Sequence, residues 1–528
     1  MGVYVYIDLS KSITKEEWTS VYNESLELLK VFPFAERQRK KIDSNEVVCL
    51  TRTKERKSEN GNGAQMKWIA CGDMETLECG EEFVVRKNLI DEYNPHAGDA
   101  LLALVPNCTN HSFEEEKFNQ TYRLSAKTQG RKYHLYLLCL ACMMESRLQD
   151  KAIVSGDISK GQLELAVELA NSKLKSPVTL PSRCDMNKLY TRISKLDIPN
   201  VEKILTFVYL YLGQKNDEFG NFIREKFPSK TCYEFLTYKL NSCRVGTYGF
   251  SEHLKELLVL GFDLREICRA IDFAKKFPSN DDSVEIRCKK FIDEIMDTKL
   301  YLREKNTEDI LADSPDDIVP PSVEKQFAQI AFMGARNKKV ERYIPIDQLR
   351  LILREELKNY SATEKYIDEY LSAEAKEKDK SNDVSDRFME TLKKIEAEQE
   401  SLQEKYNIYA FEQFLHYNRN DSVTPSLLKN IKSGFKSLKT LLEENSFKEL
   451  QMKNAEERCE WIVKHNSYLL LRDTDWEKIF KNIKDNPQSF ERYYLSVMIP
   501  LNDGDIKWFI YSLVLNDDFY AFLCKAEC

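Results

Sequence analysis

Glycine is scarce in this chain, with 17 among 528 residues. That scarcity counts against glycine-rich phosphate loops and against all-β architectures dense in tight turns. Neither G-x-x-x-x-G-K-[ST] nor G-x-G-x-x-G occurs. Long apolar runs are missing as well. The longest are Leu135 to Met144, Ile204 to Leu212 and Trp508 to Leu515, whereas a membrane-crossing helix needs about twenty residues. No membrane partner is therefore expected. The opening MGVYVYIDLS lacks the basic and apolar regions of an export signal. The six histidines are dispersed, and H-E-x-x-H is absent. No metal, cofactor or catalytic triad is read from them.

Cysteine is present, 14 in all, but without the spacing of a disulfide framework. In a chain this long that pattern reads as reduced thiols in a cytosol, so a cytoplasmic location is expected. A net charge of −8 argues against a dedicated nucleic-acid binder, whose affinity would rest on neutralising phosphates.

What is abundant is charge and helical periodicity. The fold class expected is α+β, predominantly helical: a small N-terminal α/β sheet unit followed by irregular multi-helix domains. Residues 1–125 form the sheet unit. Strands are expected at Val3–Ile7, Val47–Thr51, Lys67–Cys71, Glu82–Arg86 and Ala100–Val105, with a hairpin loop over Lys57–Gly63. Thr14 and Glu17 form a capping box before a helix that buries Trp18, Val21, Tyr22, Leu28 and Leu29. Residues 126–305 form a helical domain packed on this unit. The acidic, proline-bearing stretch 306–322 is read as a linker, and 323–528 as a C-terminal helical domain. Within that domain, Phe388 to Tyr406 shows a charged helical stripe, Thr474–Glu477 a capping box, and Tyr493–Leu501 a terminal strand.

Ser125 to Leu174 carries the candidate chemistry. Lys127, Arg131, Lys132 and His134 cluster where a helix apolar on nearly every side begins, and cations beside free backbone N–H groups point to an anion site. The turn SGDISKGQ follows a short strand. There Asp157 or Ser159 can cap the next helix and Lys160 faces the same loop. The C-x-x-C of Cys139 and Cys142 lies inside the apolar helix without further ligands, and is read as core packing. Asp73 with Glu82 would suit a nuclease, but Val84 stands where a lysine is wanted. The clusters Glu78, Glu81, Glu82 and Glu114 to Glu116 are read as solvated edges.

The segments KTQGRKYHLYLLCLACMMESRL and AIVSGDISKGQLELAVELAN, with the opening YIDLSKSITKEEW, resemble a recurrent block in uncharacterised Firmicute-type bacterial proteins of unknown function. The resemblance covers the N-terminal half. It implies a bacterial cytosolic protein and carries over no catalytic residue.

The function expected is that of a non-enzymatic interaction protein, in an immunity or defence-accessory setting, with a protein partner. One alternative is an enzyme or sensor that binds an anionic small molecule or nucleotide near 127–134 and 155–162. Another is a nucleic-acid-directed component using the basic runs Arg37–Lys41 and Arg52–Lys57.

Overall fold

The computed structural model describes residues 2–57, 65–89, 93–106, 120–277, 282–303, 314–318, 340–360, 362–378, 411–419, 425–498 and 504–525. The fold is α+β and predominantly helical. The chain divides into two compact units that are not sequential. One takes residues 1–32, 54–72 and 79–381, the other 33–53, 73–78 and 382–528. The expected loop at 57–63 beyond residue 57, the stripe at 388–406 and Glu114 to Glu116 lie outside the described residues. Of the expected linker, only 314–318 is described.

The first unit is organised by strand β1, Tyr4–Ser10, whose Val5, Ile7 and Leu9 are fully buried. It lies between β7, Thr121–Lys127, and β8, Ala152–Gly156, antiparallel to both. Helix α2, Tyr133–Leu148, connects β7 to β8. The two outer strands are therefore parallel to each other with β1 inserted between them, a split βαβ unit. Helix α1, Lys15–Val31, starts on both halves of the expected capping box. Glu17 N–H donates to Thr14 Oγ1 at 3.2 Å, and Thr14 N–H donates to Glu17 Oε2 at 2.8 Å. A further strand, β5 (Met66–Asp73), pairs antiparallel with β4 (Arg56–Lys57) and β6 (Cys79–Arg86).

Helix α3 (Lys160–Asn171) leads into a run of helices: α4 (Met186–Ser194), α5 (Asn200–Leu210), α6 (Asp217–Lys226), α7 (Ser229–Ser242), α8 (Tyr248–Val259), α9 (Leu264–Ala270) and α10 (Val284–Asp297). Helices α11 (Ile346–Glu356) and α12 (Thr363–Lys378) follow. From α4 onward these helices share one continuous core that also takes in Ala100, Leu101 and Ile153.

In the second unit, β2 (Phe34–Ile42) and β3 (Asn45–Arg52) form an antiparallel hairpin. Helices α13 (Pro425–Lys439), α14 (Asn445–Gln451), α15 (Ala455–His465), α16 (Asp473–Asp485), α17 (Ser489–Val497), α18 (Gly504–Leu515) and α19 (Asp517–Lys525) complete it. The break between α18 and α19 falls at Asn516. Its amide donates to the carbonyls of Phe414, Leu415 and Tyr417, while its Oδ1 receives the Phe519 N–H.

Three expectations are corrected. Ala100–Leu104 is a 3-10 helix, not a strand, because Asp99 caps it through the Leu101 N–H at 2.7 Å. Tyr493 and its neighbours are helical. Phe490, Tyr493 and Tyr494 are buried at i, i+3, i+4 spacing, so a helical face rather than alternation carries the packing. The capping interaction of α16 is made by Arg472 and Asp475, two residues before the expected pair.

Candidate functional site

The two segments singled out in the sequence meet at the start of β1. In register, Tyr4 faces Lys127 on β7, while Val5 faces Gly156 on β8. Gly156 has φ +123°, and a Cβ there would lie 2.2 Å from the Tyr4 carbonyl oxygen. Only glycine lets the chain turn this close to β1. The turn delivers the Asp157 carboxylate to the Tyr4 N–H at 2.8 Å. Lys127 Nζ sits over the Tyr4 ring, 5.8 Å from its centroid, and Tyr4 stacks on Tyr6 at 5.6 Å. Arg123 covers the Tyr6 ring and donates to the buried Asp8 at 2.7 Å. Burial outweighs that cation and holds the Asp8 carboxyl above its ordinary range.

His134 is tied to the same strand through a tight turn. Gln129 and Gly130 are both left-handed, and the Arg131 N–H closes back on the Thr128 carbonyl at 3.1 Å. Thr128 Oγ1 lies 3.2 Å from the Val3 carbonyl and 2.7 Å from His134 Nδ1. With the hydroxyl donating to Val3, Nδ1 carries the ring proton, an assignment made from this network. Nε2 then has no partner in hydrogen-bonding geometry. Burial pushes the imidazole down to about 4, against an opposing pull from the Gln162 side chain.

That displacement makes His134 a pH sensor of stability. The folded ring takes its proton near 4 and the unfolded ring near 6.5, so the unfolded state binds more protons between those values. The stability is whole above 6.5 and is lost as pH falls toward 4, by up to about 3 kcal/mol. Urea titrations at pH 7 and 4.5 should show this loss in the native chain and a smaller one in His134→Gln. An NMR titration placing the His134 ring near 6.5 would contradict it.

Of the six residues picked from sequence, Lys127 and Asp157 thus meet at Tyr4, the first residue of β1, and His134 reaches the preceding Val3 through Thr128. Arg131 closes the tight turn, and Lys132 is exposed at the start of α2. Lys160 pairs with Glu164 one helical turn on, at 3.3 Å. Ser159, not Asp157, caps α3. Its Oγ receives the Gln162 N–H at 3.1 Å, and Gln162 Oε1 receives the Ser159 N–H. A cavity of about 420 Å³ adjoins this turn, with Ile158, Ser159, Tyr211, Glu256 and Pro315 among its walls, but none of the six lines it. The segment around Asp316 lies on α3: Gly161 N–H donates to the Pro315 carbonyl at 2.8 Å, and Ser159 Oγ donates to that of Asp317.

A second constellation escaped the sequence reading. Glu145, buried near the end of α2, accepts from the Val154 N–H at 2.9 Å and from both the N–H and hydroxyl of Ser182 at 2.7 Å. Arg192 lies 3.4 Å from the same carboxylate and grips Asp99 with two nitrogens at 3.0 and 2.5 Å. Arg183, also buried, donates to the carbonyls of Leu210 and Val154. The network borders a cavity of about 590 Å³ with Lys188, Thr191 and Lys195 on its walls. Its signal was legible: one acid in an otherwise apolar helix must find partners inside.

Cys139 and Cys142 are fully buried, and burial pushes the Cys139 thiol up to about 12 and Cys142 well above its ordinary range. Neither offers a thiolate near neutrality. Among the described residues, no group of three or more metal-ligating side chains is assembled. Asp73 Oδ1 is used locally, receiving the Glu75 and Thr76 N–H groups at 2.7 Å. Comparison with family models, curated proteins and solved structures finds no match.

Proposed function

We propose that this chain is a non-catalytic binding protein that holds a protein partner through the helical surface of its first unit. The side chains best suited to chemistry support this reading, because they are engaged in holding the fold together. Asp157 fastens β1, the His134 ring is kept neutral, the thiols stay protonated, and Glu145 binds four groups at once.

The observation that carries the reading is Tyr209. The last turns of α5, Ile204 to Leu210, are otherwise buried, yet Tyr209 stands 65% exposed among them. Tyr233 on α7 and Tyr248 on α8 are also exposed, over the same core. Rigid tyrosines of this kind are enriched at protein interfaces and among their energetic anchors.

Native mass spectrometry of the chain isolated from its own cells should show a stoichiometric protein partner. The double variant Tyr209→Ala/Tyr233→Ala should bind that partner roughly 30-fold more weakly, as loss of an anchoring pair worth about 2 kcal/mol implies. Unchanged circular dichroism would show that the fold survives. A chain that travels alone, or a double variant with native affinity, would refute the reading.

A further inference from the structure

We infer that the outward face of the β2–β3 hairpin docks the phosphodiester backbone of a nucleic acid. The basis is the strand period. In FAERQRKKI, alternate residues take opposite faces. Arg37, Arg39 and Lys41 are exposed, while Gln38 and Lys40 are half-buried on the other face, where Lys40 reaches Asp473 at 2.5 Å. The strand therefore sorts a mixed basic run into an outer row of three cations and an inner, neutralised set. The sequence alone showed only the run.

Charge complementarity selects the occupant. The register places Leu50, Val48 and Glu46 opposite the three cations, so Glu46 is the only acid on these paired positions. It lies 3.8 Å from Arg39, with both side chains more than two-thirds exposed, a geometry that contributes little. Arg37 and Lys41 have no ion pair among the described residues. Three like charges thus stand in a row on a chain whose acids outnumber its bases, 86 to 78.

Spacing points the same way. At about 3.4 Å per residue, alternate side chains recur about every 7 Å. That is two phosphate steps along one strand of a duplex, counted along its axis. No aromatic residue lies on the paired positions 37, 39, 41, 46, 48 and 50, so this row offers charge without base stacking, and the contact we infer is to backbone. Binding should be indifferent to sequence and steep in salt. The tyrosines of the proposed partner surface belong to the other unit, so either proposal can fail alone.

Fluorescence anisotropy of the full chain tests it, using labelled 20-mer duplex DNA, single-stranded DNA of the same length and poly-glutamate between 50 and 200 mM NaCl. The duplex should bind with a slope of log K against log [salt] of about −2.7, from three phosphates at 0.9 each. Arg37→Gln/Arg39→Gln/Lys41→Gln should weaken binding at 50 mM at least tenfold and flatten the slope. A triple variant of equal charge change at exposed cations elsewhere, Lys30→Gln/Lys230→Gln/Lys365→Gln, should leave both unchanged. Binding of the single strand with the same slope also supports the backbone assignment. Absence of salt-dependent binding, equal losses in both triple variants, or poly-glutamate bound as tightly as DNA would each overturn it, the last in favour of an acidic protein.

Discussion

Glu145→Ala should destabilise the first unit by about 3–5 kcal/mol, the range for removing one partner of a buried ionic network. The carboxylate lies 3.4 Å from the buried Arg192 guanidinium, which also grips Asp99, and its charge acts on the buried Arg183, which donates to the Leu210 and Val154 carbonyls. Alanine would strand the Val154 N–H and both donors of Ser182. Each is a buried donor whose desolvation is no longer compensated. Glu145→Gln separates charge from hydrogen bonding. Its amide oxygen can still serve Ser182, but its NH₂ would face the Val154 N–H, donor against donor. A loss nearer half that of alanine is expected. Urea unfolding followed by circular dichroism measures both, and a loss below about 1 kcal/mol for alanine would mean the network is dispensable.

Gly220→Ala is the second large effect, and its sign runs against helix propensity. Gly220 lies within α6, where alanine would ordinarily gain about 1 kcal/mol. Its ideal Cβ would stand 1.8 Å from the Leu260 carbonyl oxygen and 2.7 Å from its carbon. Both are backbone atoms, and that oxygen already receives Arg224 Nη1 at 3.0 Å. The turn after α8 must therefore move as a body, which costs more than a rotamer change. A net loss of about 2–3 kcal/mol is expected, within the range for overpacking. Thermal melting should fall by several degrees, whereas an unchanged or raised melting temperature would show that the turn yields freely.

How far such details were legible depended on whether packing or pairing fixed them. Helix α2 announced itself because LYLLCLACMM is apolar in every direction, and it is buried all round. The start of α1 was written in four residues, Thr14 to Glu17, since a capping box is a local interaction. Strand β2 was not legible: RQRKK has no apolar alternation, and its extended form is fixed by eight residue pairs with β3. Strand β7 was missed for the same reason, its partner being more than a hundred residues away in sequence. The convergence of Lys127 and Asp157 on Tyr4 follows from that pairing. Proximity in sequence flagged both segments, and only register could bring them together.

The interleaved second unit has a consequence for how the molecule is made. Its hairpin is anchored from the far end of the chain: Lys40 by Asp473, Asp43 by Lys484, and the Leu50 N–H by the Leu471 carbonyl. Lys40 and Asp473 are 433 residues apart. At a synthesis rate of 5–20 residues per second, the hairpin waits roughly 20–90 s for the residues that will hold it. Throughout that interval, Val47 and Cys49, both buried in the finished fold, lack their C-terminal cover. A gene cut at residue 381 would make the wait permanent, leaving the hairpin attached to the wrong half.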